Sequence, residues 1–407
     1  MDIVVTVASI ILGVLILVFL VVIHELGHGI VARRNGVIVE EFGVGFPPFA
    51  KGKTIKKSVL GRNVMYSLNW LPIGGFVKLQ GEYDSADKKG DYGAATFWQK
   101  TKIILAGVAV NWVFAALLFT ILALVGMPRV VANQFTVGSD TIVNKSPVVV
   151  AGTTKGLPAD ISGLRSGDAI DHVSVKTTCP TGVVEPCRGQ SADEIDTIIA
   201  LTKQYPGSVL IVDYTRDGSA KTAVLTNRTA EQATDKKGYL GVTFSQANAT
   251  TYRSTWSAPI VGVGLTGQLS WETLKGVGSL ASKFFGGLAG LVNLNPESRS
   301  RASAQIGDAS QGVSGPIGIL GSILPSAVKA GMVPILLITA VISLTLAVMN
   351  VLPIPALDGG RWYTMAIFRL LRRPLTKEVE EKINTIGMMI LFALIILVTM
   401  ADVAKII

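Results

Sequence analysis

The amino-acid sequence predicts a polytopic α-helical membrane protein with four transmembrane helices and an inserted β-rich extracytoplasmic domain. Three observations lead there. Hydrophobic residues make up 49% of the chain and charged residues only 16%, with a mean hydropathy of +0.49, a balance that points to several membrane spans. Four uncharged apolar runs are long enough to cross a bilayer. A single long polar stretch with strand-like segments separates the second run from the third.

The four runs are Ile3 to Ile23 with 21 residues, Ile103 to Val125 with 23, Ala330 to Leu357 with 28 and Ile383 to Ala401 with 19. A span needs about 20 residues, because the hydrocarbon core is about 30 Å thick and a helix rises about 1.5 Å per residue. The first run lacks the basic n-region and small-residue cleavage site of a signal peptide. It is therefore expected to be retained. The net charge of +9 does not point to nucleic acid, because the basic residues cluster beside the apolar runs, where they orient helices. Arg33, Arg34, Lys51, Lys53, Lys56, Lys57 and Arg62 follow the first run, and Lys100 and Lys102 precede the second. Arg361, Arg369, Arg372 and Arg373 follow the third. Both regions are expected in the cytoplasm. The two termini and the β-rich domain then lie outside.

The expected organisation has four parts. Residues 1–127 form the N-terminal half of the membrane core, with spans at about 3–30 and 103–126 and a cytoplasmic hairpin region at 40–82. Residues 145–245 form the β-rich domain. Residues 255–329 form an amphipathic extracytoplasmic segment and linker, with apolar Leu265, Leu269, Val277, Leu280, Phe284 and Leu288 at helical spacing, interrupted by Glu272, Lys275 and Lys283. Residues 330–407 complete the core, with spans at about 330–357 and 383–402.

The strongest chemical signal is His24-Glu25-Leu26-Gly27-His28. Histidines at i and i+4 share one helix face, so both can reach one metal ion, and Glu25 beside them can act as a base. Two of the chain's three histidines are here, at the inner end of an apolar span, where ionisable groups are costly and mark function. Catalytic zinc takes three protein ligands and keeps one position open. The third ligand follows from depth. His172 lies in the outer segment, and Asp2 and Asp402 fall at the outer face. Asp358 ends the third span on the cytoplasmic side, where His28 also lies. Around it, Asn350-Val351-Leu352-Pro353-Ile354-Pro355-Ala356-Leu357-Asp358-Gly359-Gly360 breaks the helix. Irregular backbone at that depth is tolerated only when buried in protein or lining a wet cavity.

His24, Glu25, His28, Asn350, Pro353, Leu357, Asp358 and Gly359 together match the paired motifs of the site-2 protease family, and the chain resembles the bacterial, PDZ-containing form. The resemblance implies an intramembrane zinc endopeptidase. One Zn²⁺ would be bound by His24, His28 and Asp358, with Glu25 as catalytic base. It also implies that Asn350 helps hold the substrate backbone. Gly107-x-x-x-Asn111 in the second span is similar to a further family feature, which puts Asn111 among the substrate-binding residues; close helix packing is the other reading of this pair. Pro72 to Leu79, with Gly74 and Gly75, resembles the family's re-entrant hairpin, proposed to pair with an extended substrate; an ordinary glycine-turn hairpin is the alternative. The substrates implied are single-span membrane proteins already trimmed outside, such as anti-sigma factors or remnant signal peptides.

In the outer segment, Pro158 to Ile170 resembles a bacterial PDZ signature, and strand-like runs follow at Val209–Tyr214 and Tyr239–Phe244. Gly238-Tyr239-Leu240-Gly241-Val242 resembles a carboxylate-binding loop, which would take peptide C-termini. A β-domain without a peptide ligand is the alternative, because fold does not fix function. Cys179 and Cys187 enclose a seven-residue loop on the side where disulfides persist. Pro180 and Gly182 favour a turn between them, so a bond is expected, with free thiols as the alternative. Two rival functions remain. One is a membrane-anchored PDZ scaffold or quality-control receptor with a non-catalytic metal site. The other is a metal transporter, which would need polar residues through several spans; the first and fourth are nearly all apolar.

Overall fold

A mostly apolar run without proline carries the first helix, α1, from Ile3 to Arg34. Arg33 and Arg34 occupy its last turn, where cations complement the helix dipole, and Asn35 closes it by donating its side-chain N–H to the Val31 carbonyl at 2.8 Å. The computed structural model describes residues 3–131, 133–144, 148–177, 187–234, 238–246, 251–291 and 318–406. The chain divides into two units: residues 1–127, 131–141 and 254–407 form one, and residues 128–130 and 142–253 the other.

In the first unit, α1 is followed by strands β1 (Val39–Ile55) and β2 (Val64–Leu79), then by α2 (Phe97–Val125). Both strands double back. The 39–46 stretch lies between the two halves of β2, with Phe42 opposite both Tyr66 and Val77, while Phe49–Ile55 pairs with Asn69–Val64. The pair is thus a four-ribbon sheet, with 75–79 on one edge and 49–55 on the other. Helix α2 begins with a capping box: Thr96 Oγ1 accepts from Gln99 N, and Gln99 Oε1 accepts from Thr96 N, satisfying two orphan donors.

The second unit lies between β3 (Met127–Pro128) and the long helix α5 (Ala258–Leu291). Helices α6 (Leu324–Ala330), α7 (Met332–Val351), α8 (Asp358–Leu370) and α9 (Lys377–Ile406) complete the first unit. One core cluster joins Ala115, Phe119 and Leu122 of α2 to Ala258, Val261 and Leu265 of α5 and to Ala340 and Leu344 of α7. Small residues on α7 allow close approach, and Ser343 Oγ donates to the Asn111 carbonyl at 2.8 Å. The sequence expects an amphipathic segment around 256–292; the first turns of α5 are part of this helical core. Asp140 anchors the start of α5, accepting from the Ser257 hydroxyl at 2.6 Å and the Thr255 hydroxyl at 2.5 Å. These bonds hold its carboxyl well below the usual carboxylate range.

Among the described residues, three helices are long and apolar enough to cross a membrane: Val4–Arg34, Phe97–Val125 and Met332–Val351. The third ends six residues before the apolar run does. Residues 352–357 leave the helix because Pro353 and Pro355 cannot donate to it, and Ile354 N and Leu357 N bond instead to Leu352 O and Ile354 O. The 383–402 run lies within α9.

The second unit is a sheet of order β10-β5-β6-β8-β9, with β7 also on β6. Its strands are β5 (Val148–Thr153), β6 (Ala169–Thr177), β7 (Cys187–Ala192), β8 (Val209–Arg216), β9 (Ser219–Thr226) and β10 (Val242–Gln246). A separate short pair joins β4 (Ile142–Asn144) to β11 (Thr251–Arg253). Helices α3 (Pro158–Ile161) and α4 (Ile195–Gln204) flank the sheet's core, which gathers Ala159, Ile198, Leu210 and Val212. Arg216 holds the buried Asp168 through Nε at 2.6 Å and Nη2 at 2.7 Å. Burial opposes the charged carboxylate, but these bonds and the Arg165 amide keep its pKa below the ordinary value. The strand expected from Tyr239 starts at Val242, because Gly238 and Gly241 turn the chain at positive φ. His172 sits exposed on β6. The Cys179–Cys187 pair lies outside the described residues, except for the backbone of Cys187 at the start of β7.

Candidate active site

Helix α1 brings His24, Glu25 and His28 to one place, one turn apart as the spacing requires. The two imidazoles stand edge to face with ring centroids 4.7 Å apart. Asp358 comes from the first turn of α8, more than 300 residues away in sequence. The 352–357 turn delivers it by a tight fold. A Cβ on Gly359 would lie 2.3 Å from the Leu352 and Val351 carbonyl oxygens, and one on Gly360 would lie 2.1 Å from the Ile354 carbonyl oxygen. From the other side, α9 presses Gly387 onto Pro355, where an added Cβ would be 2.3 Å from the proline Cβ. The glycines therefore let α8 start directly against the turn.

Three donor atoms converge. His24 Nε2 lies 3.0 Å from Asp358 Oδ2, His28 Nε2 lies 3.2 Å from the same oxygen, and the two nitrogens are 3.1 Å apart. Zinc bonds of about 2.0–2.1 Å in a tetrahedron put neighbouring ligands about 3.3 Å apart, so this triangle is close to one face of such a tetrahedron. His24 and His28 are 6% and 7% exposed, while the Asp358 side chain is 25% exposed. The donors are thus buried on the histidine side and open on the carboxylate side.

The far edges of both rings are held. His28 Nδ1 donates to the Ile103 carbonyl at 2.7 Å, which leaves the Nε2 lone pair free for a metal. His24 Nδ1 faces the Asn111 side-chain amide at 3.4 Å. The resemblance puts Asn111 with the substrate; its side chain is 1% exposed and lies behind the ring. Gly107, one turn earlier on α2, lies directly against the donors: a Cβ there would be 2.4 Å from His28 Nε2 and 2.7 Å from His24 Nε2. The convergent donors, the fixed ring edges and this bare backbone fit a zinc ion.

Glu25 is half-buried and accepts from Val77 N of β2 through Oε2 at 3.1 Å. Gly75 lies beside it, where an added Cβ would approach Glu25 Cγ at 3.9 Å and the Gly43 carbonyl at 3.0 Å. Gly74 turns the strand at φ +89 against Phe46. Asn350 is half-buried in the last turn of α7.

The structure adds groups that residue patterns did not indicate. Arg361, one turn after Asp358, donates to the Glu82 carbonyl, lies 3.2 Å from Glu380 and stacks 4.5 Å from the Tyr92 ring centroid. Lys100 pairs with Asp84, and Asp84 N donates to Glu380 at 3.1 Å. Burial pushes the Tyr92 hydroxyl up to about 12. This network ties the segment after β2 to α8 and α9, next to the carboxylate donor. The sequence signal is the retention of charge beside apolar runs, for which membrane orientation is already a sufficient reason.

In the second unit, Tyr239, Leu240 and Gly241 form a turn whose carbonyls accept from Arg228 N, Ala159 N and Thr154 N. Leu240 is a core side chain, and Val242 packs against that core.

The model of peptidase family M50 matches residues 12–394 of the chain. A Clostridium perfringens protein named as a zinc metalloprotease is 30% identical over 94% of this chain and 95% of its own length. The protease RseP of Yersinia pestis is 24% identical over 95% of this chain and 96% of its own. The zinc metalloprotease RasP of Shouchella clausii is 23% identical over the same shares. With its apolar helices, its β-rich unit and a His-Glu-x-x-His group able to hold a metal, the chain belongs to peptidase family M50, the site-2 proteases, and is an intramembrane zinc metalloprotease.

Proposed function

We propose that this protease cuts single-span membrane proteins within or beside their transmembrane segments after an outer domain has been removed, anti-sigma factors and remnant signal peptides being the substrate classes. The observation that carries the reading is the convergence of His24, His28 and Asp358 within 3.2 Å of one another, with Glu25 alongside. In this reading His24, His28 and Asp358 hold one zinc, and Glu25 is the general base. Zinc held there would supply Lewis-acid polarisation of the scissile carbonyl and a lowered pKa for water, from 15.7 toward ~7. Glu25 is placed to take the proton and pass it to the leaving amine. Its hydrogen bond from Val77 N keeps the carboxylate aimed while its other oxygen is left for water.

The substrate strand is proposed to lie beside Gly74 and Gly75, held also by Asn350. The place of Gly75 supports this, because it lies beside Glu25 on the 75–79 edge of the four-ribbon sheet, where an extended chain can be added. The topology proposed has α9 as a fourth span, both termini and the β-rich unit outside the inner or plasma membrane, and the zinc site toward the cytoplasm. Four spans put Asp358 and His28 at the same depth; a fifth, through α5, would separate them.

The β-rich unit is proposed to be a PDZ domain that receives peptide C-termini at Tyr239 to Val242. Strand β10 is an edge strand among the described residues, open to an added strand. The carbonyls of the preceding turn are engaged within the unit, and its amides are assigned to the carboxylate. A scaffold with an idle metal site would have no use for a carboxylate held at Glu25's position.

The test compares full-length and pre-trimmed substrates, with wild type and a variant lacking residues 145–245, alongside zinc analysis. Wild type should contain one zinc per chain and cut only the trimmed substrate, while the deletion keeps its zinc and cuts both. A deletion that is folded and active yet still rejects full-length substrate places the gate elsewhere. Zinc-free wild type with no cleavage of either substrate would sink the whole reading.

A further inference from the structure

Among the described residues, the Asn111 side chain is a buried amide 3.4 Å from the His24 ring, and its Oδ1 has no hydrogen-bond partner. Its backbone is fixed as well, since its carbonyl accepts from Ser343 Oγ. A neutral imidazole carries one proton. His24 Nε2 faces Asp358 Oδ2 at 3.0 Å, and Nδ1 faces the Asn111 amide at 3.4 Å. A metal ligand needs the Nε2 lone pair free, which places the proton on Nδ1. Nδ1–H then needs an acceptor, and the Asn111 amide oxygen is the one beside it. A turn about Cβ–Cγ exchanges the oxygen and nitrogen ends of an amide with little other movement.

We infer that Asn111 is a positioning residue for His24, its amide oxygen accepting from Nδ1–H and so holding the ring in the tautomer that presents Nε2 to the metal. This rests on His24 being a zinc ligand. An amide suits the task because its oxygen accepts from Nδ1–H without setting a charge behind the ring. A carboxylate offers the same acceptor. A hydrocarbon offers none. Groups behind a ligating histidine typically contribute 10–100-fold to metal affinity.

The test measures zinc affinity by competition with a chelator on the full chain in detergent, for wild type, Asn111→Leu, Asn111→Asp and His24→Ala. Asn111→Leu should bind zinc about 10–100-fold more weakly, and Asn111→Asp should bind within a few-fold of wild type. Equal affinity in wild type and Asn111→Leu overturns the inference, as does equal weakening in Leu and Asp. If His24→Ala keeps wild-type affinity, the ligand set itself is wrong and the inference falls with it. If only His24→Ala loses zinc, the ligand set stands and the role of Asn111 alone is rejected. Nitrogen-15 spectra of histidine-labelled wild type supply a readout that needs no variant to fold, since the chain has three histidines. His24 in the zinc-loaded chain should be the Nδ1–H tautomer. A zinc-loaded ring without a proton on Nδ1 would overturn the inference.

Discussion

Glu25→Gln should leave one zinc per chain and reduce cleavage of a model transmembrane substrate by 10²–10⁴-fold, the usual cost of losing a general base. The substitution is nearly isosteric. A glutamine carbonyl oxygen can still accept from Val77 N, the contact that Glu25 Oε2 makes at 3.1 Å, so the side chain should stay in place. What is lost is the capacity to take a proton. The three convergent donors belong to other residues, so metal content should not follow activity. Zinc is measured on the purified variant by atomic absorption, and cleavage under single-turnover conditions, so that substrate binding and product release do not mask the chemical step. Wild-type turnover in the variant would remove Glu25 from the mechanism. Loss of zinc together with activity would make it a ligand.

The parts of the candidate site legible in the sequence are those that a membrane makes expensive. His24 and His28 stand out because a polar pair at helical spacing inside an apolar run needs a reason, and Asp358 because it is the carboxylate that the expected topology sets at the matching depth. The contacts that complete the site left no such mark. Val77 contributes a backbone N–H and Ile103 a backbone carbonyl, and any residue type carries those. The Gly107-x-x-x-Asn111 pair was visible, but its two readings, substrate contact and helix packing, could not be separated without the fold. Both residues turn out to lie against the histidine rings.

Boundaries were less legible than elements. The apolar run to Leu357 concealed the end of α7 at Val351, because prolines stop a helix without changing hydropathy. The charges at Glu272 and Lys275 suggested a surface segment, but the start of α5 is buried against α2 and α7 through Ala258, Val261 and Leu265. Periodicity identified an apolar stripe there and could not say whether lipid or protein covers it.

Asp358→Ala and Gly107→Ala should both empty the site, by opposite means. Asp358→Ala removes the oxygen that approaches both ring nitrogens, and zinc affinity should fall by more than the 10–100-fold typical of a residue behind a ligand. Gly107→Ala removes nothing. Its methyl would be set 2.4 Å from His28 Nε2 and 2.7 Å from His24 Nε2, well inside ordinary contact, so neither nitrogen can stay where it is. The rings cannot yield easily, because His28 is tied to Ile103 O and His24 lies between Asp358 and Asn111. Zinc should drop from one per chain toward none, and cleavage with it. A tight helix contact can also fail for reasons unconnected with metal, so a matched control is needed. A Cβ on Gly13 of α1 would meet Leu320 at 2.4 Å and Leu324 at 2.7 Å. Gly13 is 11 residues before His24, or about 16 Å along the helix. Gly13→Ala should keep its zinc whatever it does to stability. If Gly107→Ala holds zinc as wild type does, the histidine nitrogens are not where the metal binds. If Gly13→Ala loses zinc equally, the loss reports general loosening of the helices and says nothing specific about the space at Gly107.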